Sequence, residues 1–450
     1  NLTFTLGSVV VTDGSGNSAT HSDVNIEALI GGSGADTFTF GVGVTFGGSI
    51  DGKGGNDTLN FSAYTSSLNF VLTPLNANSV DGFNGTVAPI TNGFANINTI
   101  TGGSASDSLT GLAADSTWNI TSANNGNFIS TNTLTFTSIN SLVGLGGADS
   151  FVFANGASVS GTLNGGVGVD TINYAAYTTS VTVNLATGTA TGTSGISNIE
   201  NIIGGAGDDS LTGDAGNNVI TGNGGDDTMT GGAGDDRYVF VSGWGNDDTI
   251  VEVAAGGRDT LDFTAINDPL QVSIGVVNTV TDGTSHVKFT GNNVESILAG
   301  SGGATFSFSD NSTKNITLTD LGTTLGFKGA INGLEFDDVD NLTVGTATDD
   351  SLSGMNADAT WKFEVGSSKL EVGARALTFS GFEIINGNAG ADTFTFGDGV
   401  TFNGAIDGKG GNDQLLFTNY TTARSVVLTS AGSTDGFNGT TSAITNGFSN

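Results

Sequence analysis

The sequence has 450 residues, 73 of them Gly, 3 Pro and none Cys, and its 44 acidic against 11 basic residues leave a net charge of −33. Scarce Pro without a G-X-Y period excludes collagen, 36% hydrophobic residues with 28 Phe exclude a disordered acidic tail, and the lack of Cys removes disulfides, thiolate metal sites and Cys nucleophiles. So few basic residues speak against nucleic acid or an anionic membrane surface, and no apolar run approaches the ~18 residues of a membrane span.

Along the chain the elements are short strands closed by glycine turns. NIEALIGG (25–32) leads into GGSGADTFT (31–39), and GKGGNDTLN follows at 52–60. NINTITGG (96–103) feeds GGSASDSLT (102–110). The tract 108–122 is the nearest helix candidate, and its Thr, Ser and Trp make that the minority option. INSLVGLGG (139–147) feeds GLGGADSFV (144–152), and GGVGVDTIN covers 165–173. NIENIIGG (198–205) opens four consecutive nine-residue units over 204–239: GGAGDDSLT, GDAGNNVIT, GNGGDDTMT and GGAGDDRYV. Weaker copies begin near Gly243, Ala254 and Gly345. AGSGGATFS (299–307) keeps the frame without the Asp, so no ion is expected there. FEIINGNAG (382–390) feeds GNAGADTFT (387–395), and GKGGNDQLL covers 408–416. Short apolar alternation rich in Ile, Val, Phe and Thr predicts strands, so the chain reads as nearly all β.

A longer period overlies the short one. Residues 31–96 align with 387–450, 34–64 with 147–177 and 107–153 with 350–396, at offsets of 356, 113 and 243 that close on one another. One module is thus used about three times, truncated at both ends, with an insertion of about 130 residues in the middle copy. The divisions expected are a partial module over 1–143, a second module start over 144–203, the tandem block with its continuation over 204–253, an inserted β-rich segment over 254–340 and a third partial module over 341–450. The chain reads as an interior piece of something longer.

The nonapeptide G-G-x-G-x-D-x-U-x, with U apolar, carries its own chemistry. The glycines admit positive φ, the Asp holds a carboxylate on a short stem, and the last three residues form a strand with U pointing inward. One unit cannot bury U alone, whereas units stacked at ~4.8 Å can. Stacking also lines up the carboxylates, which repel unless a cation lies between turns. Ca²⁺ suits best, because it takes 6–8 oxygens in flexible geometry, while Mg²⁺ demands a stricter octahedron and Zn²⁺ prefers His or Cys.

The tandem block 204–239 resembles the repeats-in-toxin (RTX) nonapeptides of secreted bacterial proteins. The resemblance implies an all-β, elongated, right-handed parallel β-solenoid or β-roll, with calcium between turns and folding after export. A unit is then expected to pair with the unit one full turn later, Asp209 with Asp227 and Asn218 with Asp236. Scattered copies begin at 31 and 52, at 144 and 165, and at 387 and 408, the same interval each time. They predict three further shared sites: Asp36 with Asp57, Asp149 with Asp170, and Asp392 with Asp413. Asp107 follows Ser-Ala-Ser where Gly is expected, and Asp248, Asp259 and Asp350 sit in poor frames.

Other chemistry is sparse. His21 and His286 lie in no recognised nucleophile pattern, and the pairs Asp337–Asp338 and Asp349–Asp350 read as turn or ion-site residues. Trp118, Trp361, Tyr64, Tyr177 and Tyr420 occupy equivalent module positions and read as core or rim. A flat Thr ladder of the ice-binding kind is disfavoured, because TFTF, SFVF and FSFS differ between copies. The expected whole is a rod with about 20 residues per rung, not an enzyme. Its function reads as a calcium-stabilised segment of an extracellular bacterial fibre, adhesin stalk or surface filament. The partners expected are calcium ions, continuation of the same polypeptide or identical copies, and a cell-surface or carbohydrate ligand. The rival readings are a secretion and folding appendage of an RTX enzyme, or a carbohydrate- or ice-binding module.

Overall fold

The computed structural model describes residues 2–6, 9–12, 18–21, 26–75, 79–252, 256–275, 277–290, 293–310 and 312–450, with the side chains of 9–12 and 18–21, His21 included, outside the described residues. Among the described residues every regular element is a β-strand, and the tract 108–122 forms the strands Ser108–Thr110 and Ser116–Ser122. Among the described residues no helix is long and apolar enough to cross a membrane. The chain forms two compact units, Asn1–Asn223 and Gly224–Asn450.

In the first unit the strands Thr3–Leu6, Thr37–Phe40, Thr58–Asn60, Thr99–Thr101 and Thr133–Thr137 stack in parallel. Their inward residues pair rung on rung: Phe4 on Phe38, Phe38 on Leu59, Leu59 on Ile100, Ile100 on Phe136. Phe4 and Phe38 stack at 4.7 Å between ring centroids, close to the ~4.8 Å strand spacing, as aromatic residues do when a parallel register repeats. A second sheet of nine strands runs from Ala28–Ile30 to Gly195–Ser197. Chain alternation sends Leu29, Ile50, Leu109, Leu142 and Leu163 into the core between them, each at most 5% exposed.

The second unit repeats this arrangement. Arg237–Val239, Thr260–Asp262, Ser296–Leu298 and Leu334–Thr343 form one parallel stack. Thr360–Phe363, Thr393–Phe396 and Gln414–Leu416 form another, with Trp361 over Phe394.

The rungs are not parallel throughout. Three-stranded antiparallel meanders interrupt them at Asn69–Thr73/Phe83–Val87/Ile90–Ile97 and Ser116–Ser122/Asn125–Ile129/Thr133–Thr137 in the first unit. In the second unit they recur at Leu270–Ile274/Asn278–Thr281/His286–Phe289 and Asn315–Leu321/Phe327–Ile331/Leu334–Thr343. The expected rung length therefore holds only for rungs without a hairpin. Thr58 pairs with Thr99, and Thr99 with Thr135, so rungs that carry a meander are nearly twice as long.

The outward face of the five-rung stack has a composition of its own. Thr3, Thr37, Thr58, Thr99 and Thr135 form one file, and Thr5, Thr39, Asn60, Thr101 and Thr137 a second. All of these positions but Asn60 are Thr, and none is charged. Strand geometry alone does not impose this: in the second unit the same files read Thr360–Thr393–Gln414 and Lys362–Thr395–Leu416.

Candidate metal centres

Each glycine turn places its Asp at the start of a strand, and the Asp residues form columns. Asp57 Oδ1 accepts the Asp36 N–H at 2.8 Å, Asp170 Oδ1 the Asp149 N–H at 2.8 Å, and Asp413 Oδ1 the Asp392 N–H at 2.9 Å. The structure thus brings together all three pairs expected from the scattered copies. Asp248 Oδ1 accepts the Asp227 N–H at 2.9 Å across the same interval, and Asp259 Oδ1 the Asp236 N–H at 2.9 Å. Columns end on longer or neutral side chains: Asn98 and Asn140 accept the Asp57 and Asp107 N–H groups, and Glu200, Glu295 and Glu383 those of Asp170, Asp259 and Asp350.

The first glycine of the turn is dictated by its own Asp. A Cβ on Gly144 would stand 2.1 Å from Asp149 Oδ2 and 2.3 Å from the Gly165 carbonyl of the next rung. The same two kinds of oxygen crowd Gly31 at 2.4 Å each, from Asp36 and Gly52. A carboxylate and a carbonyl oxygen therefore converge on one side of each such glycine, an all-oxygen lining suited to a hard cation. At Gly55, whose φ is 118°, the backbone passes so close to the preceding turn that a Cβ would meet the Gly34 carbonyl carbon at 2.6 Å.

The column residues are deeply buried: Asp36, Asp57, Asp149, Asp170, Asn218, Asp227, Asp236 and Asp392 are at most 1% exposed, and Asp209 3%. They fall into two groups. Asp36, Asp107 and Asp209 are satisfied by backbone, with Oδ1 accepting from Leu2, Leu68 and Val181 and Oδ2 from Gly32, Gly103 and Gly205. Asp57, Asp149, Asp170, Asp350 and Asp413 each bury an Oδ2 that has no hydrogen-bond partner. Both oxygens of Asp392 are in that state, with the Trp361 indole and the Ala359 backbone beside them but outside hydrogen-bond geometry. Asn218 is satisfied otherwise: its Oδ1 accepts the Asp214 N–H and its Nδ2 donates to the Glu200 carbonyl, each at 2.8 Å.

A buried carboxylate with an orphan oxygen is costly unless a proton or a cation meets it. Burial, reinforced by Asp36, Asp81 and Asp51, pushes Asp57 up to about 6, and burial with Asp170 and Asp115 does the same to Asp149. Burial together with Asp413 pushes Asp392 up to about 7, and burial with Asp226 and Asp247 takes Asp248 to about 7. Two charges one rung apart repel by about 3 kcal/mol at an effective dielectric constant near 20. The residues present fit calcium: anionic oxygens, backbone carbonyls and no competing His or Cys.

Sequence reasoning passed over several members. Glu252 and Asp259 join the expected Asp236, the three holding carboxylate oxygens within 4.8 Å of one another. The Tyr238 hydroxyl donates to Glu252. Asp107, Asp248, Asp259 and Asp350 also stand in columns despite their poor frames. The signal for Asp248 was present, since the step from Asp227 to Asp248 repeats that from Asp36 to Asp57. The remaining candidates have other work. Asp337 and Asp338 hold the 323–325 turn through its N–H groups, and the exposed His286 meets the Asn246 carbonyl at 3.0 Å. Trp118 and Trp361 are fully buried, and the Tyr64, Tyr177 and Tyr420 hydroxyls donate to the carbonyls of Val44, Ala157 and Val400.

Stacked glycine turns with carboxylate columns define a calcium-binding β-solenoid. The family profile for the RTX calcium-binding nonapeptide repeat matches residues 203–238 and 379–402, and that for the C-terminal region of serralysin, an M10 peptidase, matches 45–163. The chain thus carries RTX nonapeptide repeats, and repeats of this kind bind Ca²⁺. No curated protein matches it.

Proposed function

We propose that this chain is a calcium-hardened structural segment of an extracellular bacterial fibre, adhesin stalk or surface filament, with no catalytic role of its own. The observation that carries the reading is the set of buried carboxylates with orphan oxygens, stacked rung over rung at Asp57, Asp149–Asp170 and Asp392–Asp413. With the tandem-repeat residues Asp209, Asn218, Asp227 and Asp236, these supply the calcium ligands. Metal free energy becomes folding free energy, so the chain stays open at low calcium and closes outside the cell. Circular dichroism through a calcium titration tests this. The strand signal should rise cooperatively with calcium and fall sharply in chelator; an unchanged spectrum in chelator refutes the switch.

A second reading is supported by the serralysin profile over 45–163: a secretion and folding appendage of an RTX enzyme. Refolding rates of a linked catalytic domain with and without this chain separate the two. The carbohydrate- or ice-binding reading is supported by the two outward Thr files.

A further inference from the structure

Among the described residues Lys314 is the one Lys or Arg whose side chain is buried, at 3% exposure. Its backbone makes the two contacts that mark a column position. The Lys314 N–H donates to Asp350 Oδ1 at 2.6 Å, and the Lys314 carbonyl accepts the Ser351 N–H at 2.8 Å. Asp392 does the same farther along the chain, donating to Asp413 and accepting from Gln414 at 2.8 Å. Asp36 does so with Asp57 and Thr58. Lys314 therefore occupies an Asp slot.

The side chains in these slots reach back along their own turn. Asp36, Asp107 and Asp209 accept the N–H of the Gly four residues earlier. Lys314 makes the charge-reversed contact: its ammonium donates to the Asp310 side chain, also four residues earlier, to the Ser312 hydroxyl, and to the Ser312 carbonyl at 3.0 Å. Its three protons have three acceptors. The Phe308 ring lies 5.9 Å away on another side. The ammonium pairs with Asp310, so the Lys314–Asp350 step holds one buried carboxylate, where Asp392–Asp413 holds two that repel.

We propose that Lys314 is a built-in cation. At this step the ammonium, held by Asp310 and Ser312, replaces one carboxylate of the repelling pair that elsewhere calls for a divalent ion, and the rung from Asn315–Leu321 to Ser351–Ser353 stays closed without calcium. The inserted segment then supplies a folded foothold on which calcium-dependent rungs close. The inference rests on the calcium reading above, and one experiment separates the two.

Hydrogen exchange of the full chain is measured by mass spectrometry in calcium and in chelator. In chelator, peptides over Thr37–Phe40, Thr58–Asn60, Thr393–Phe396 and Gln414–Leu416 should exchange at least roughly tenfold faster, while those over Asn315–Leu321 and Ser351–Ser353 keep their protection. Equal calcium sensitivity in all of them overturns the built-in cation and leaves the calcium reading standing. No sensitivity anywhere overturns both. Lys314→Asp restores the paired-carboxylate step and should make the 315–321 rung calcium-dependent, protected in calcium and open in chelator. A Lys314→Asp rung with no calcium response overturns the proposal. Lys314→Met should open the same rung in chelator, and a rung that stays protected in that variant counts against it.

Discussion

At the scale of single residues, the turn is a contest for one small volume. The Asp side chain folds back over the first glycine, and the next rung's carbonyl arrives on the same side, so only a hydrogen fits there. Gly144→Ala should destabilise the calcium-bound protein by at least ~2 kcal/mol, since the clash is with backbone and a buried carboxylate. Gly47→Ala, with open space at its Cβ, should stay within ~0.5 kcal/mol. Chemical denaturation in saturating calcium compares them directly. The column ends are equally specific. Glu200 accepts the N–H of Asp170, which is fully buried. Glu200→Ala should cost about 1–3 kcal/mol by orphaning that donor, and Glu200→Gln should recover most of it, because the amide oxygen still accepts. Equal losses in the two variants would mean that the charge, not the hydrogen bond, holds the column end.

At the scale of elements, the strands were readable and their partners were not. Apolar alternation in TFTF or SLT marks a short strand, yet it looks the same whether the neighbour is a parallel rung or the next arm of a hairpin. That is why the meanders at 69–97 and 315–343 escaped a reading that found every intact nonapeptide. The candidate sites divide similarly. Where both copies of a scattered pair keep G-x-x-G-x-D, as at Asp36–Asp57, Asp149–Asp170 and Asp392–Asp413, the Asp and its partner could be named in advance. Asp107 and Asp350 could not, since other residues bend the chain into the same turn there. Glu252 reaches the Asp236–Asp259 cluster across the turn, a contact without sequence periodicity. The Thr files show the converse: copies differ at these positions, as the repeats indicate, yet five rungs drawn from different repeats align into a continuous uncharged array. Its spacings are ~4.8 Å across strands and ~6.8 Å along them. If that face binds an ordered water lattice, the calcium-folded protein should partition into slowly growing ice and Thr58→Tyr should abolish it, with unchanged circular dichroism. Exclusion of the parent protein from the ice would dismiss that reading.

At the scale of the whole molecule, 33 negative charges remain after every Lys and Arg is matched, so solution conditions act on the fold as strongly as any substitution. Asp57, Asp149, Asp248 and Asp392 hold their protons more tightly when folded than the ordinary carboxylate value of about 3.9. The folded state thus binds more protons across the window from about 4 to 7, and stability without calcium falls as pH rises through it. Calcium-free protein should therefore be more folded near pH 4.5 than near pH 7.5. With calcium the order should reverse, because the ion displaces those protons. Thermal melts at the two pH values, with and without chelator, check both signs; a chelated protein that gains stability toward neutral pH would contradict the burial of these carboxylates. The meanders carry a consequence for descent as well. Each leaves the stack and returns in register, so an arm can lengthen, shorten or diverge sideways while the pitch of the coils above and below is untouched. Such a scaffold can accumulate lateral variety by small insertions in its side loops without disturbing the corners that set the pitch.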